Sequence, residues 1–187
     1  GVKHGALPYG IPSDNPLVGN TDGLREEVYA WGFRDPFGLS FDPTTGLAWV
    51  TNRGADRFDE VDLLTPGGNY GWSVMEANAC YAPSSGCDTS GLISPIFDYG
   101  GSTVPRGIAG GFVYSGTRNP ELLRRYIMAD GGTGQVWAID YDGSAAVGER
   151  LVRGEPGFIA IGLDAGNEPL FANIRDGKLS RFVWTAS

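Results

Sequence analysis

Long apolar runs, clustered basic residues and histidine are all scarce in this sequence of 187 residues. No stretch approaches the roughly 20 consecutive apolar residues that an α-helix needs to cross a bilayer, so we expect no membrane span. Lys and Arg total 14 against 22 Asp and Glu, which gives a net charge of -8. Because nucleic acid binding depends on clustered cations that displace counterions, the charge balance predicts no nucleic acid partner.

Soft metal ligands are also few, since the chain has one histidine, His4, and two cysteines. A zinc site is therefore disfavoured, because such sites usually combine several Cys and His ligands. Cys80 and Cys87 flank a short segment in which 83–86, Pro-Ser-Ser-Gly, is typical of a turn. This spacing favours a disulfide over free thiols, and a disulfide indicates an oxidising compartment, either extracellular or periplasmic.

Glycine, proline and aromatic residues are abundant, with 30 Gly, 12 Pro and 12% aromatic residues. This composition favours many short strands joined by tight turns over long helices. Residues 1–23 are rich in Gly, Pro and Asn without periodicity, and we interpret them as an extended connector. The remaining residues, 24–187, contain about three strand-rich units, at 24–66, 67–143 and 144–187.

The strand-rich units share a pattern in which an apolar strand meets an Asp- and Gly-containing turn and an aromatic strand returns. In the first unit "GLSF" leads through "DPTTG" into "LAWV", which predicts a β-hairpin. Repetition of such units at a spacing of some tens of residues is typical of four-stranded sheets stacked around an axis. We therefore predict an all-β fold, a β-propeller with about three four-stranded blades, with a twisted β-sandwich as the alternative.

An adjacent pair of opposite charges, Arg34 and Asp35, interrupts the aromatic segment "YAWGFRDPFGLSF" directly before Pro36. Two interpretations fit the pair. Either the two residues hydrogen-bond the backbone of a turn, or a site needs a cation and a carboxylate at the start of a strand.

Five sequence segments, taken together, are more specific than the pattern of strands and turns. They occur in the order "LPYGIPSDNPLVG", "VYAWGFRDPFGLSFDPTTGLAWV", "DEVDLLTPGGNYGW", "GGFVYSG" and "YIMADGGTGQVWAI". With them the chain resembles the C-terminal half of the soluble quinoprotein glucose/sorbosone dehydrogenases, a family that includes the hedgehog-interacting-protein-like propellers. The resemblance covers essentially the whole chain, and "GFRDPFGLSFDP" and "GGNYGW" are its most specific parts.

Members of that family are six-bladed β-propellers that bind pyrroloquinoline quinone (PQQ) and calcium in a central cleft and oxidise sugars. The resemblance therefore implies half of a six-bladed propeller, with PQQ and calcium as cofactors and a sugar as the substrate. It also implies an N-terminal half as the partner, either in the same gene product or as a separate chain.

The resemblance implies that Arg34 faces the quinone, as both a catalytic and a cofactor-binding residue. Its charge would stabilise the quinone oxygens as they gain electron density. Asp35 occupies the neighbouring cofactor-binding position, where the family usually has Asn. Because an anion is unfavourable beside an electron-accepting group, a purely structural role for Asp35 stays open.

Gly54 and Ala55 match the two family positions whose backbone carbonyls hold the cofactor-linked calcium. Calcium takes about six to eight oxygen ligands, and a change of side chain to Ala does not remove a backbone carbonyl. Glu60 and Tyr70 match positions that hold a further, structural calcium in some members. As the alternative, the local carboxylates form a solvated acidic edge: Asp56, Asp59, Glu60 and Asp62.

The sequence departs from the family pattern at several functional positions. The family's catalytic base is a His from the N-terminal half, and His4 matches no family motif. The Lys and two Arg that grip the cofactor carboxylates in the best-known branch are replaced by Gly132, Pro156 and Phe158. Two functions therefore stay open: a sugar dehydrogenase completed by its N-terminal half, or a non-catalytic extracellular propeller for binding or structural assembly.

Overall fold

The structure, a computed structural model, describes residues 9–101, 107–153 and 156–181. Within these ranges the regular structure is β apart from one 3₁₀ turn at Pro120–Leu122, and no helix there is long and apolar enough to cross a membrane. The predicted all-β class is confirmed. The strands are β1 Pro36–Phe41, β2 Ala48–Asn52, β3 Phe58–Leu63, β4 Met75–Glu76, β5 Ala79–Cys80, β6 Phe97–Gly100, β7 Ile108–Val113, β8 Tyr126–Asp130, β9 Gln135–Tyr141, β10 Ala146–Arg153, β11 Phe158–Leu163, β12 Pro169–Asn173 and β13 Lys178–Ser180.

The described part of the predicted connector, residues 9–23, consists of turns and bends without a strand. Side-chain amides hold these turns, since Asn15 Nδ2 donates to the carbonyl of Glu26 at 2.7 Å and Asn20 Nδ2 donates to that of Leu17 at 2.8 Å. The first eight residues of the connector, His4 among them, lie outside the described residues.

The first sheet has the strand order β1-β2-β3-β6, and each neighbouring pair is antiparallel. The "DPTTG" turn joins β1 to β2, because Asp42 accepts a hydrogen bond from Thr44 N at 2.8 Å and Gly46 adopts a φ of +74° that favours glycine. Between β3 and β6 the segment 64–96 leaves the sheet and contains the β4–β5 hairpin. This segment later supports the candidate site.

The second sheet has the order β7-β8-β9-β10, and the third has the order β11-β12-β13. The three sheets divide the chain differently from the predicted units 24–66, 67–143 and 144–187. After the segment 64–96, β6 returns to pair with β3, and β10 completes the second sheet instead of opening the third. Local patterns carry no signal for pairing between strands that a long insertion separates.

The sheets pack face to face through two apolar clusters. Between the first and second sheets Trp49 stacks on Tyr126, with ring centroids 4.6 Å apart, and Val61 is fully buried in the same cluster. A second cluster joins the second and third sheets, and in it the rings of Phe158 and Phe171 lie 5.5 Å apart. Each such buried side chain contributes about 1.5–3 kcal/mol of transfer free energy, so these clusters hold the sheets as a stack.

The first strands of the three sheets, β1, β7 and β11, contact one another in series. Gly38 of β1 lies so close to β7 that a Cβ at this position would be 2.7 Å from Gly110 Cα. On the side of the third sheet, a Cβ at Gly110 would be 3.5 Å from Ile161 Cγ2 of β11. Convergence on the first strand of each sheet is the arrangement of propeller blades around a central axis.

Candidate functional site

The loop between β2 and β3, residues 53–58, carries two predicted calcium positions, Gly54 and Ala55. The Gly54 N–H donates to Asp59 Oδ1 at 3.1 Å, which anchors the loop to the start of β3. A Cβ at Gly54 would lie 1.8 Å from the carbonyl oxygen of Phe58. Glycine is therefore required at this position, because the loop folds back on its own backbone.

Glu76, which the sequence analysis did not single out, holds the same loop from the β4–β5 hairpin. Its Oε1 atom accepts hydrogen bonds from the backbone N–H groups of Asp56 at 2.7 Å and Arg57 at 2.9 Å. The guanidinium Nε of Arg57 lies 3.3 Å from Glu76 Oε2. Burial alone would raise the pKa of Glu76, but these donors outweigh burial and hold the pKa below its ordinary value. The side chain is thus a buried, ionised acceptor beneath the loop.

Arg34 and Gly54, two predicted site residues from separate segments, are in direct contact. The Nη1 atom of Arg34 donates a hydrogen bond to the Gly54 carbonyl oxygen at 3.0 Å. The guanidinium also lies over the ring of Trp72, 5.8 Å from its centroid, and Trp72 closes the "GGNYGW" phrase. Arg34 is exposed, so the cation is accessible in the described part of the chain.

Asp35 makes its described contacts through the backbone. Its N–H donates to Asn52 Oδ1 at 2.9 Å, and its carbonyl accepts a hydrogen bond from Arg53 N at 3.0 Å. These bonds fix the start of β1 against the end of β2 and so fix the point from which Arg34 projects. The Asp35 carboxylate is exposed, and its cofactor-binding role stays a prediction.

The acidic residues of β3 are buried. The exposed fractions are 2% for Asp59, 5% for Glu60 and 1% for Asp62, whereas Asp56 in the preceding loop is exposed. The expectation of a solvated acidic edge is therefore wrong for the three strand residues. The cause is that β3 is an interior strand, paired with β2 and β6, with both of its faces covered.

Two of these carboxylates, Glu60 and Asp62, have pKa values raised above those of exposed acids. Glu60 Oε1 accepts a hydrogen bond from Asn52 Nδ2, yet burial, together with the nearby Asp98, raises the pKa of Glu60 to about 7. Burial, followed by the charge of Glu60, raises the pKa of Asp62 well above its ordinary value. Neither Asp62 oxygen has a hydrogen-bond partner among the described residues. Such an environment favours a protonated carboxyl or a nearby cation.

The Tyr70 hydroxyl is engaged with the backbone at the end of β3. It donates to the Leu63 carbonyl at 2.6 Å and accepts from Thr65 N at 2.8 Å, and its ring stacks on Phe33 at 4.4 Å. In the part of the chain that the structure describes, no group of three or more His, Cys, Asp and Glu could hold a metal ion.

A buried network that sequence reasoning missed links the candidate loop to the second sheet through Asp59, Tyr99 and Asp130. Asp59 Oδ2 accepts a hydrogen bond from Ile108 N at 2.9 Å, and the Tyr99 hydroxyl donates to Asp130 Oδ2. Asp130 Oδ2 also accepts from Gly107 N at 3.0 Å. Burial, then the two aspartates, raises the pKa of Tyr99 well above its ordinary value, so the hydroxyl keeps its proton. The network fixes the start of β7 beside the Gly54 loop.

The disulfide between Cys80 and Cys87 is present, with an S–S distance of 2.04 Å, and this prediction is confirmed. Cys80 is the last residue of β5, so the disulfide ties the hairpin that carries Glu76 to the segment that follows it. The Nη2 atom of Arg57 donates to the Cys80 carbonyl at 2.8 Å. The disulfide, the hairpin and the candidate loop are thus linked by direct contacts.

Comparison with known proteins fits this geometry. A family model described as glucose/sorbosone dehydrogenase matches residues 8–158, which is most of the chain and includes every site segment described above. The chain belongs to the glucose/sorbosone dehydrogenase family. Among its relatives, HIPL1 protein of Arabidopsis thaliana is 36% identical over 142 residues, which are 70% of this chain and 20% of that protein. Quinoprotein glucose dehydrogenase B of Acinetobacter calcoaceticus is 40% identical over 62 residues, which are 33% of this chain and 12% of that protein.

The fold is shared with solved glucose dehydrogenases. One crystal structure of a glucose dehydrogenase matches with a TM-score of 0.78 and 28% identity, over 94% of this chain and 52% of that chain. The chain therefore spans about half of that dehydrogenase and a fifth of HIPL1 protein. The prediction that the chain forms about half of a β-propeller is confirmed by this match.

The three positions at which the best-known branch of the family carries cofactor-gripping cations are uncharged here. Phe158 is buried in the core between the second and third sheets, and its ring packs against Phe171. Gly132 lies in the turn after β8, and Pro156 precedes β11. The residues at these three positions have no charged side chain that could pair with the carboxylates of PQQ.

Proposed function

We propose that the complete protein is a soluble sugar dehydrogenase of the quinoprotein type. This chain would supply the half of the propeller that carries Arg34, the cation that would face the quinone. The observation that carries the proposal is the 3.0 Å hydrogen bond between Arg34 Nη1 and the Gly54 carbonyl. It brings the predicted quinone-facing cation next to the predicted calcium loop. When bound, PQQ supplies the electrophilic carbonyl group that accepts hydride from the sugar.

Within this proposal, the Gly54–Ala55 loop fits a calcium ion. A carbonyl oxygen has two lone pairs, so the Gly54 oxygen can accept one bond from Arg34 and still ligate a cation. Two carbonyls are only part of the six to eight oxygens that calcium takes, and the cofactor, water or the missing half would add the others. For a second calcium, Glu60 would supply a carboxylate and Tyr70 its backbone oxygen, because the Tyr70 hydroxyl already has two partners.

Arg34 would act on charge that develops on the acceptor. If a quinone binds, the Arg34 guanidinium, held in place before binding, would be the residue that stabilises negative charge on the quinone oxygens. Asp35 would hold that cation in place through its backbone bonds to Asn52 and Arg53. The catalytic base would come from the N-terminal half.

A second candidate function is a non-catalytic extracellular propeller that has lost the cofactor and serves binding or structural assembly. The burial of Phe158 and the uncharged Gly132 and Pro156 favour it, because a polyanionic cofactor would lose several charge-assisted hydrogen bonds there. The similarity to HIPL1 protein is compatible with either function.

Both functions need a partner for the outer sheets, and we propose the N-terminal half of the propeller. The β1 face of the first sheet exposes Leu39 and Phe41 by 60% and 65%, beside an apolar groove of about 300 Å³ that Tyr29 and Phe33 help to line. At the other end, Leu179 of the third sheet is 73% exposed. Apolar faces of this kind are normally buried against the next blade of a propeller.

An extracellular or periplasmic location is part of the same proposal. The disulfide between Cys80 and Cys87 supports it, because disulfides persist in oxidising compartments and are rare in the cytosol.

The two functions are separated by the absorbance spectrum of the complete gene product after addition of PQQ and calcium. A bound-quinone band that is bleached by an aldose sugar is the result expected for the dehydrogenase. A spectrum identical to that of free PQQ, unchanged by any sugar, would reject the dehydrogenase in favour of the non-catalytic propeller.

A further inference from the structure

The side chain of Glu76 is buried beneath the loop of residues 53–58 although it belongs to a different part of the chain. It lies on β4, its side chain is 1% exposed, and its Oε1 atom collects the N–H groups of Asp56 and Arg57. A third N–H, that of Phe58, lies 3.4 Å away at the edge of hydrogen-bond distance. One carboxylate oxygen therefore serves successive donors of a single turn.

A charged acceptor is needed for this arrangement. Buried N–H groups without an acceptor cost about 1–3 kcal/mol each, and hydrogen bonds to charged groups are the stronger kind. The turn is tight, since a Cβ at Gly54 would lie 1.8 Å from the Phe58 carbonyl oxygen, and the acceptor for its N–H groups comes from a different segment, β4. The turn that presents the Gly54 and Ala55 carbonyls thus depends on Glu76 for its shape.

The side chain of Arg57, a residue of the same loop, ties Glu76 to the hairpin. The Arg57 guanidinium reaches both Glu76 Oε2, at 3.3 Å, and the Cys80 carbonyl, at 2.8 Å. The disulfide between Cys80 and Cys87 then fixes the end of the hairpin. The support of the loop is therefore a rigid, cross-linked hairpin.

From these contacts we propose that Glu76 is a positioning residue that sets the calcium affinity of the Gly54–Ala55 loop. It does not touch the ion. By accepting from the Asp56 N–H it fixes the peptide plane that carries the Ala55 carbonyl, while the neighbouring Gly54 carbonyl accepts from Arg34. The inference rests on the proposed function, in which this loop binds calcium. Residues that orient metal ligands from behind typically change metal affinity by about 10- to 100-fold when they are replaced.

The chain contains a matched control for Glu76. Glu168, also buried, accepts from the N–H groups of Thr117 and Arg118, both at 2.9 Å, and from the Tyr114 hydroxyl at 2.8 Å. Its loop follows the end of β7, whereas the candidate loop is tied to the start of β7 through Asp59 and Ile108. The same chemistry thus occurs at the opposite end of the strand.

The test compares the complete protein with its Glu76→Gln and Glu168→Gln variants by calorimetric titration with calcium alone. Glu76→Gln is expected to raise the calcium Kd by about 10- to 100-fold, whereas Glu168→Gln leaves it within about twofold. Both variants are expected to lower the thermal midpoint, so a loss of stability by itself does not mimic the effect. Equal calcium affinity in folded Glu76→Gln and wild-type protein would overturn the inference.

Hydrogen exchange of the Asp56 and Arg57 amides separates this inference from the proposed function. If the wild-type protein binds no calcium, the proposed calcium site fails. Faster exchange in Glu76→Gln than in Glu168→Gln would then still support the positioning role, and equal exchange would reject it. If Glu76→Gln does not fold, Arg57→Met takes its place, with a smaller expected rise in calcium Kd and unchanged affinity as the contradicting result.

Discussion

The buried carboxylate of Glu60 predicts that the free energy of unfolding falls as the pH rises from about 4.5 to 7. Glu60 is 5% exposed, and burial together with Asp98 raises its pKa from 4.5 to about 7 in the folded protein. Between these values the folded state keeps a proton that the unfolded state has lost. Stability from this group is therefore fully present below the lower pKa and lost above the higher one.

The size of the effect follows from the same two pKa values. Each tenfold change in an ionisation equilibrium is about 1.4 kcal/mol, so the change from 4.5 to about 7 corresponds to roughly 3 kcal/mol. Asp62, whose pKa is raised by burial and by Glu60, acts in the same direction. Glu60→Gln removes the titration but keeps an oxygen acceptor for Asn52 Nδ2. We expect this variant to flatten the pH dependence by most of that amount.

The assay is denaturant unfolding of the complete protein, followed by tryptophan fluorescence between pH 4.5 and 8 with a calcium chelator present. Glu121→Gln is the control, because Glu121 is an exposed residue of the 3₁₀ turn. The reasoning would be refuted by a wild-type stability that rises with pH through this window. It would be refuted equally by a Glu60→Gln variant that has the wild-type slope.

Three further predictions concern the site and its support. Arg34→Ala should reduce turnover with quinone and sugar by on the order of 10²–10³-fold. The control Arg25→Ala, at an exposed ion pair with Glu27, should leave turnover unchanged. Steady-state kinetics would measure both, and near-equal turnover in the two variants would show that Arg34 is structural. Gly54→Ala should weaken calcium binding in a titration, because the new Cβ would lie 1.8 Å from the Phe58 carbonyl oxygen. The control Gly162→Ala, with open space around its Cβ, should leave calcium binding unchanged. Unchanged binding in Gly54→Ala would contradict the loop geometry. Replacement of both Cys80 and Cys87 by Ser should lower the free energy of unfolding by less than the roughly 3 kcal/mol expected for a 15-residue disulfide loop, because this loop is shorter. Denaturant unfolding would measure the loss. Free thiols found by mass spectrometry of peptides from the native protein would contradict the disulfide.

The fold class was predictable because it depends on local signals. Tight-turn residues such as those of "DPTTG" and short apolar strands recur along the chain, and these give an all-β fold without any long-range knowledge. The boundaries of the sheets were not predictable in this way. The pairing of β6 with β3 depends on a segment, 64–96, that leaves the sheet and returns, which no local pattern encodes.

The site was predictable only in part, and through different kinds of signal. The family resemblance implied roles for Arg34 and Gly54, which stay predictions, and the structure added the contact between the two residues. The role of Glu76 was not predicted, because a single acidic residue in "SVMEANAC" forms no motif. That role depends on hydrogen bonds from a loop that is distant in sequence, and only the structure shows them. The burial of Glu60 and Asp62 was also not predicted, because charged residues in a strand of alternating polarity usually lie on the solvent-exposed face.

Size-exclusion chromatography with light scattering on the isolated 187 residues tests the claim on which both proposed functions depend. In the proposed complete propeller, further blades would cover the exposed Leu39 and Phe41 at one end and Leu179 at the other. We therefore expect the isolated residues to associate or aggregate and to unfold without cooperativity. A well-folded monomer of 19.9 kDa with a cooperative unfolding transition would contradict the half-propeller account.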